Sequence, residues 1–480
     1  MNRRGLSRST FAAALAAAAL VGAAGFSRAA RADDVAASAT VAAAEAAWRA
    51  KPADVALALA WQDALLAAGK RSQAIDAARR RVDASGSGPL DAFLLGRAQG
   101  GARGAAAMRA ALERGLGGAS EDDLARGWRA LVAVEDREGL ADDAARDAAT
   151  LAARTGAASD HAVAGRWREK TGDDAGARAA YEAAIAKDGR CRAARYGLTA
   201  LLARTGDAAG AVRVARETIA AYPQEPWAQV HLGIALAAAG RGTESRQAYV
   251  AALLKAGDDV ALLTALGATF TGIEDFATAH KALDRAVELA PRDPSALSAA
   301  GVLALEEGKP VAAQGLFARA AEVAPSDPRV AFLLGVSAER RSSPSEAVEA
   351  YQRAVKLAPQ KREYATALAL ALESTGDTEG AIAAFKTAMD LAPKDAALRV
   401  RLGGLYEAKK KWRLAEEQYR AAADLSPKDP NPHLFLAVIY GDHLQKRTDA
   451  RDELRLYASL GGKEPAALRW LEELEGTKGK

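Results

Sequence analysis

The chain has 480 residues, of which half are hydrophobic, mostly alanine, and only 5% aromatic, a composition that suits closely packed helices better than a thick globular core. Its net charge is +4, but the first 32 residues hold five arginines and no acidic residue, so the rest sums to −1 and nucleic-acid binding is not expected. The single cysteine, Cys191, excludes an internal disulfide; we expect a buried, inert thiol, with an intermolecular disulfide as the alternative.

The first 32 residues have the three parts of a signal peptide. Basic Arg3 and Arg4 come first, an apolar stretch follows over residues 11–26, and residues 30–32 form a small-x-small cleavage site. We therefore predict export to the periplasm or cell envelope, by the secretory route or, given the paired arginines, by the twin-arginine route. No later stretch reaches the ~18 uncharged apolar residues that span a bilayer, so we expect no membrane span after cleavage.

Export predicts a processed N terminus. In envelope fractions we expect the mature protein to begin at Asp33, because cleavage follows the small residue Ala32. N-terminal sequencing of the protein purified from those fractions tests this expectation. An Ala32→Leu variant should accumulate as the precursor, whereas recovery of the parent chain beginning at Met1 would contradict export.

Residues 33–157 carry weaker signals. Segment 33–54 is predicted to hold a helix over 35–50 that caps the N-terminal end of a repeat array. In segment 55–157, degenerate repeats begin near residues 55, 89 and 124. Glycine-rich breaks interrupt these repeats at residues 86–89, 100–101 and 115–118. Two interpretations stay open: the degenerate repeats continue the array, or they pack as a separate section.

A 34-residue period governs segment 158–463. Five prolines fall one period apart, at Pro291, Pro325, Pro359, Pro393 and Pro427. In phase with them, nine units begin near residues 158, 192, 226, 260, 294, 328, 362, 396 and 430. A fixed period of this length predicts a solenoid of helix hairpins. The last unit stays in phase only if one residue is inserted between His443 and Arg447.

The recurring residues have physical roles in such hairpins. Glycine at the eighth position and alanine at the twentieth are expected where the two helices of a hairpin cross, and the large residue at the twenty-fourth to fill the space before the next hairpin. Glycines predicted to end first helices are Gly172, Gly206, Gly240, Gly308 and Gly376. Predicted helix N-caps are Asp173, Asp207, Asp377 and, each before a proline, Asp293, Asp327 and Asp429.

The unit at residue 396 shows the full pattern, with Leu402-Gly403, Tyr406, Ala415, Tyr419, Ala422 and Pro427. This pattern resembles that of the tetratricopeptide repeat family, strongly over residues 158–461 and loosely over 55–157. The departures are Gly189, Gly257 and Gly462 where proline is expected, and the loss of the first tryptophan from most units. The resemblance implies an all-α, right-handed superhelical solenoid of antiparallel helix hairpins with about 12 repeats. A closing helix is predicted over residues 464–475, within a C-terminal segment 464–480.

In this family the inner face of the superhelix is lined by positions 2, 5, 9 and 12 of each first helix. The resemblance therefore implies a partly apolar partner-binding groove at Tyr196, Trp227, Val230, Ile234, Val302, Phe332 and Val336. For the aliphatic residues, the alternative is packing against neighbouring helices. Glutamates at position 12 either form an acidic ladder in the groove or lie on a solvated face beside arginines; they are Glu169, Glu339, Glu373 and Glu407.

We predict a non-enzymatic scaffold that binds a partner protein or peptide segment in this groove, in the assembly of a cell-envelope complex. The alternative is a glycan-binding or enzyme-activating component of polysaccharide or cell-wall machinery. The chain has no phosphate-binding loop, zinc-protease motif or serine-hydrolase motif, and its five histidines are scattered. We therefore expect no catalytic residue, metal site or cofactor, and expect His433 and His443 at the surface. Oligomeric state is left open.

Overall fold

A computed structural model of the protein describes residues 34–51, 54–85, 88–117 and 119–476. The predicted signal peptide lies outside these residues. Within them the regular structure is helical, and the chain folds into two compact units with the boundary between Gly257 and Asp258. None of the helices in the described ranges combines the length and apolarity needed to cross a membrane.

The described part of the N-terminal unit contains helices α1 (Asp34–Ala50), α2 (Val55–Ala67), α3 (Arg71–Ser85), α4 (Pro89–Gln99), α5 (Gly101–Glu113), α6 (Glu121–Glu138), α7 (Ala141–Thr155), α8 (Ala158–Lys170), α9 (Asp174–Lys187), α10 (Arg192–Arg204), α11 (Ala208–Ala221), α12 (Pro226–Ala238) and α13 (Gly242–Lys255).

The described part of the C-terminal unit contains α14 (Val260–Gly272), α15 (Phe276–Leu289), α16 (Pro294–Glu306), α17 (Pro310–Val323), α18 (Pro328–Arg340), α19 (Pro344–Leu357), α20 (Arg362–Thr375), α21 (Thr378–Leu391), α22 (Ala396–Ala408), α23 (Trp412–Leu425), α24 (Asn431–Val438), a π-helical turn (Ile439–His443), α25 (Arg447–Ser459) and α26 (Pro465–Gly476).

Helices α2 to α25 pack in consecutive pairs, each pair a hairpin, so the predicted all-α repeat architecture is confirmed. In the eight repeats between residues 158 and 429, the first helix begins at the predicted residue. The same is true of the degenerate repeats that begin at residues 55 and 89. Two starts differ. Helix α6 begins at Glu121, not near 124, because Ser120 and Asp123 form a capping box there. Helix α24 begins at Asn431, one residue late, with the Asp429 carboxylate accepting from its backbone N–H at 3.0 Å.

The turns follow the predicted cap chemistry. The side chains of Asp173, Asp207 and Asp377 each accept a hydrogen bond of 2.9 Å from the backbone N–H three residues later. Asp293 and Asp327 cap α16 and α18 directly before a proline at the first helical position. These caps fix where each helix of the hairpin begins.

The eighth-position glycines lie where the two helices of a hairpin meet, and each faces the large residue at position 24. A Cβ atom on Gly335 would lie 2.4 Å from the ring of Tyr351, at position 24 of the same hairpin, and the same pairing recurs in five other repeats. The glycine therefore makes room for the large residue of its own hairpin. In the repeat that begins at 192, the two positions hold Thr199 and Ala215, both fully buried, so the larger residue has moved to the first helix.

The extra residue predicted in the last repeat takes the form of the π-helical turn at Ile439–His443. The closing helix α26 packs on this turn through Trp470. Its ring lies so close that a Cβ on Gly441 would be 2.3 Å from a ring carbon. Helix α26 turns Leu471 and Leu474 toward α24 and α25 and leaves Glu472 exposed, in agreement with the predicted closing helix.

Within the N-terminal unit the degenerate repeats pack on helix α1 at one end and on the first regular repeat at the other. At one end, Trp48 of α1 stacks on Trp61 of α2, with ring centroids 4.4 Å apart. At the other, Val132 of α6 and Trp167 of α8 share one apolar cluster. Ion pairs join successive hairpins in this region, for example Arg129 of α6 with Asp160 of α8 at 2.6 Å.

A charged cluster lies between α5, α6 and α7. The Arg109 guanidinium contacts three carboxylates: Glu135 at 2.6 Å, Asp147 at 2.7 Å and Asp143 at 3.3 Å. The side chains of Glu135 and Asp147 are almost completely buried, at 0% and 2% exposed. Burial raises the pKa of Glu135 to about 8, and a hydrogen bond to Asp147 adds to the effect. Arg146 also pairs with Asp143, at 2.6 Å, so two arginines face three carboxylates, and a proton on Glu135 relieves the excess negative charge.

Candidate functional site

In the N-terminal unit, the predicted groove residues lie on α10 and α12. Trp227 and Ile234 of α12 and Tyr196 of α10 are half-buried and keep part of their surface exposed. Val230 is fully buried, with 0% exposure. Val230 therefore packs inside the hairpin stack, the alternative given for the aliphatic residues, whereas the other three remain candidates for partner contact.

Tyr196 stacks on His231, a residue that the groove prediction did not include. The two ring centroids are 4.2 Å apart and the planes differ by 7°. Neither the Tyr196 hydroxyl nor His231 Nδ1, both buried, has a hydrogen-bond partner among the described residues. Burial lowers the pKa of His231 to about 4 and raises that of Tyr196, so both rings are neutral near pH 7. The signal was present in the sequence: Trp227 and His231 are four residues apart and share one helix face.

In the C-terminal unit, the predicted residues lie on α16 and α18. Val302 is buried at 8% exposure, so it packs in the core, the alternative given for the aliphatic residues. Val336 is half-buried and packs against the cores of two hairpins. Phe332 is also half-buried, with its ring 5.4 Å from that of core residue Tyr351 and 4.9 Å from that of Tyr364 on α20. Phe332 thus links the hairpin core to the surface ring of Tyr364.

Three further residues, outside the predicted groove, continue this face. Tyr364 stands at position 3 of its repeat, outside the four positions used for the prediction. Leu370, at position 9 on α20, is 38% exposed, which is high for a leucine in a packed array. Val400, at position 5 on α22, lines an open cleft of about 710 Å³ with Arg362, Asp395 and Ser426 among its walls. We call Phe332, Tyr364, Leu370 and Val400 the first-helix face of the C-terminal unit.

The position-12 glutamates do not form an open acidic ladder. Tyr181, Tyr351 and Tyr419, the position-24 residues, donate hydrogen bonds from their hydroxyls to Glu169, Glu339 and Glu407 at 3.1, 2.9 and 2.9 Å. Glu373 lies 3.8 Å from Arg401. Three of these glutamates therefore tie the second helix of a hairpin to the first, a role that neither sequence interpretation anticipated.

The histidines have individual partners. His433 was expected at the surface, but its side chain is only 13% exposed and its Nδ1 lies 2.7 Å from Glu453. His443 is exposed as expected and stacks on Trp412, with ring centroids 3.7 Å apart. Cys191 is half-buried at the start of α10. Across the described ranges, no group of three or more His, Cys, Asp or Glu side chains is arranged to hold a metal ion.

Two family models, both described as "Tetratricopeptide repeat", match the chain. One model matches residues 165–226, 201–261, 264–313 and 299–362, and a second matches residues 372–439. Together these segments cover more than half of the 480 residues. No curated protein sequence matches the chain.

Several solved structures resemble the chain. The APC/C hetero-tetramer Cut9-Hcn1 is 15% identical, with 86% of this chain and 95% of that chain covered and a TM-score of 0.36. YrrB, described as a TPR protein with an unusual peptide-binding site, is 21% identical, with 37% and 92% covered and a TM-score of 0.33. PilF of Pseudomonas aeruginosa is 16% identical, with 45% and 97% covered and a TM-score of 0.37.

Proposed function

The chain belongs to the tetratricopeptide repeat family, whose domains bind protein and peptide partners, and we propose that it is an exported scaffold that binds an extended segment of a partner protein on the first-helix face of its C-terminal unit. The observation that carries this proposal is the run of partly exposed apolar side chains, Phe332, Tyr364, Leu370 and Val400, on three successive first helices beside an open cleft.

The chemistry of this face suits a peptide. Apolar pockets on neighbouring elements bind alternate side chains of a bound segment, and aromatic residues supply the largest energetic terms of such interfaces. The ion pair between Arg362 and Asp395, at 3.0 Å on the wall of the cleft, offers a donor and an acceptor for the peptide backbone. In the N-terminal unit, Trp227 and Tyr196 present a second, smaller aromatic surface. We further propose that the complex served is one of the cell envelope, on the strength of the leader sequence.

Photo-cross-linking in cells tests the face. A photoreactive amino acid at Leu370 is expected to capture a protein partner, because that side chain is exposed between the aromatic stack and the cleft. Val311, 71% exposed on the second helix α17 of the same unit, is the matched control and should capture little. A Tyr364→Ala, Leu370→Ser variant is expected to weaken capture by about tenfold or more, with helical content unchanged.

Two outcomes would contradict the proposal. Equal cross-linking from positions 370 and 311 would mean that the first-helix face has no special affinity for protein. Binding of the purified mature protein to a glycan array, abolished by the same double variant and without protein capture, would favour the glycan-binding alternative.

A further inference from the structure

A dense group of cations lies on one edge of the C-terminal unit. Lys409, Lys410 and Lys411 form the tight turn between α22 and α23, and Arg413 follows in the first turn of α23. Lys446 and Arg447 lie in the next such turn, directly before and at the start of α25. All six side chains are exposed, and we call them the basic edge. The net charge of −1 outside the leader conceals this local excess.

The two turns of the basic edge are held together rigidly. Lys410 has a left-handed backbone, φ 56°, and the backbone N–H groups of Lys410 and Lys411 each donate a 2.8 Å hydrogen bond to a carbonyl at the end of α22. Trp412 of the first turn stacks on His443 of the second, with ring centroids 3.7 Å apart. The lysines are therefore presented on a fixed surface that extends over two hairpins.

Most of this charge has no internal partner. Lys409 pairs with Glu379 at 2.9 Å, and Lys446 lies 4.0 Å from Glu416. Lys410, Lys411, Arg413 and Arg447 form no ion pair with any residue in the described ranges. Exposed carboxylates lie at both turns, Glu379 and Glu417 at the first and Asp442 and Asp449 at the second, and the six cations of the edge outnumber these four.

Other repeats show that the fold does not need this charge. Asp207, Asp275 and Asp377 cap second helices at the position that Lys411 occupies, and Lys411 makes no side-chain cap. Replacing an acidic cap in this way forgoes stability. Where a basic residue occupies the same position elsewhere, a carboxylate neutralises it: Arg241 pairs with Glu244 at 2.5 Å and Lys309 with Glu307 at 3.1 Å. Lys411 thus differs from Arg241 and Lys309, the basic residues at the same repeat position, in having no ion pair within 4.0 Å.

We propose that the basic edge docks the protein on an anionic lipid surface. Anionic headgroups attract exposed Lys and Arg side chains, and each cation near the surface adds to the attraction. The exposed Leu414, 40% accessible in the same helical turn as Arg413, gives the edge an apolar side chain that can enter the headgroup boundary. An acidic peptide would be attracted to the cations but would gain little from this leucine. The inference is independent of the partner-binding face on the first helices.

Co-sedimentation with lipid vesicles tests the proposal. The full-length mature protein is expected to bind vesicles of phosphatidylglycerol mixed with phosphatidylcholine, to bind phosphatidylcholine alone much less, and to dissociate at high salt. A Lys410→Gln, Lys411→Gln, Arg413→Gln variant should lose about tenfold or more of its affinity. The matched control, Lys356→Gln, Lys361→Gln, Lys428→Gln, removes three exposed lysines away from the edge and should bind as the parent does.

A Leu414→Ser variant separates lipid from protein as the occupant. It should lower vesicle binding several-fold and leave the salt-sensitive binding of a poly-glutamate peptide unchanged. Equal binding to neutral and anionic vesicles, or equal losses from the edge and control variants, would overturn the proposal. Poly-glutamate binding that depends on the edge lysines, without vesicle binding, would overturn it in favour of an acidic protein partner. Circular dichroism checks that each variant is folded.

Discussion

The Glu135→Gln variant is expected to unfold at a higher urea concentration than the parent protein near pH 8, with the difference shrinking as the pH falls toward about 5. Glu135 is fully buried, and its pKa of about 8 in the folded protein stands above the ordinary value of 4.5. Between these two values the unfolded chain loses the proton and the folded protein keeps it. The stability that the proton on Glu135 contributes to the parent is therefore fully present below pH 4.5, and it is lost as the pH rises through about 8.

The size of this effect follows from the same linkage. Each pH unit inside the window costs the parent up to ~1.4 kcal/mol of unfolding free energy, so the advantage of the amide is expected to grow as the pH rises from 4.5 toward about 8. Glutamine retains the shape of the protonated acid and can donate to Asp147 while it accepts from Arg109. The control is Glu113→Gln, an exposed change on α5 that should follow the parent at every pH. Parallel pH profiles for the parent and Glu135→Gln would refute the assignment of a proton to this cluster.

The Gly335→Ala variant is expected to lose about 1–3 kcal/mol of unfolding free energy. The new Cβ would lie 2.4 to 2.9 Å from three carbon atoms of the Tyr351 ring. That ring is 1% exposed, contacts Phe332, and is fixed by its hydroxyl on Glu339 at 2.9 Å. It cannot shift without breaking these contacts, so the added methyl group strains the hairpin. Thermal unfolding of the full-length protein measures the loss.

A second helical glycine in the same unit supplies the matched control. A Cβ on Gly315 of α17 would meet no atom within 4 Å. Gly315→Ala is therefore expected to stabilise the protein by about 0.5–1 kcal/mol, the usual gain for alanine over glycine inside a helix. The two identical substitutions should shift the unfolding temperature in opposite directions; a shift of the same sign from both would show that the Tyr351 ring does not depend on the glycine.

The hairpins could be predicted from the sequence because their signals are local and repeated. An aspartate such as Asp173 caps the helix that it precedes, and Gly206 ends the helix before it with φ 92°, so each turn depends on residues only a few positions apart. Errors arose where the periodic signal fades. Helix α6 starts three residues early because a local capping box at Ser120 decides its beginning.

The candidate site was harder to predict because burial depends on contacts between hairpins. Val230 and Phe332 both stand at position 5, yet the first is fully buried and the second keeps an exposed edge, since the neighbouring hairpins carry side chains of different size. Tyr364 reaches the face from position 3 because Phe332 on the preceding hairpin supports its ring. The cluster at Arg109, Glu135 and Asp147 joins three helices of degenerate repeats, where no periodicity indicates which charges meet.

The size exchange between positions 8 and 24 also constrains how such an array can evolve. A hairpin with Gly335 and Tyr351 and one with Thr199 and Ala215 place the larger residue of the pair on opposite helices. Passing from one solution to the other takes two substitutions, and either intermediate is less stable, through a clash in one case and a void in the other. The two positions are thus epistatic within a repeat, whereas duplication of a whole hairpin copies a matched pair at once. Growth by duplication therefore meets a lower barrier than the exchange of these residues one at a time.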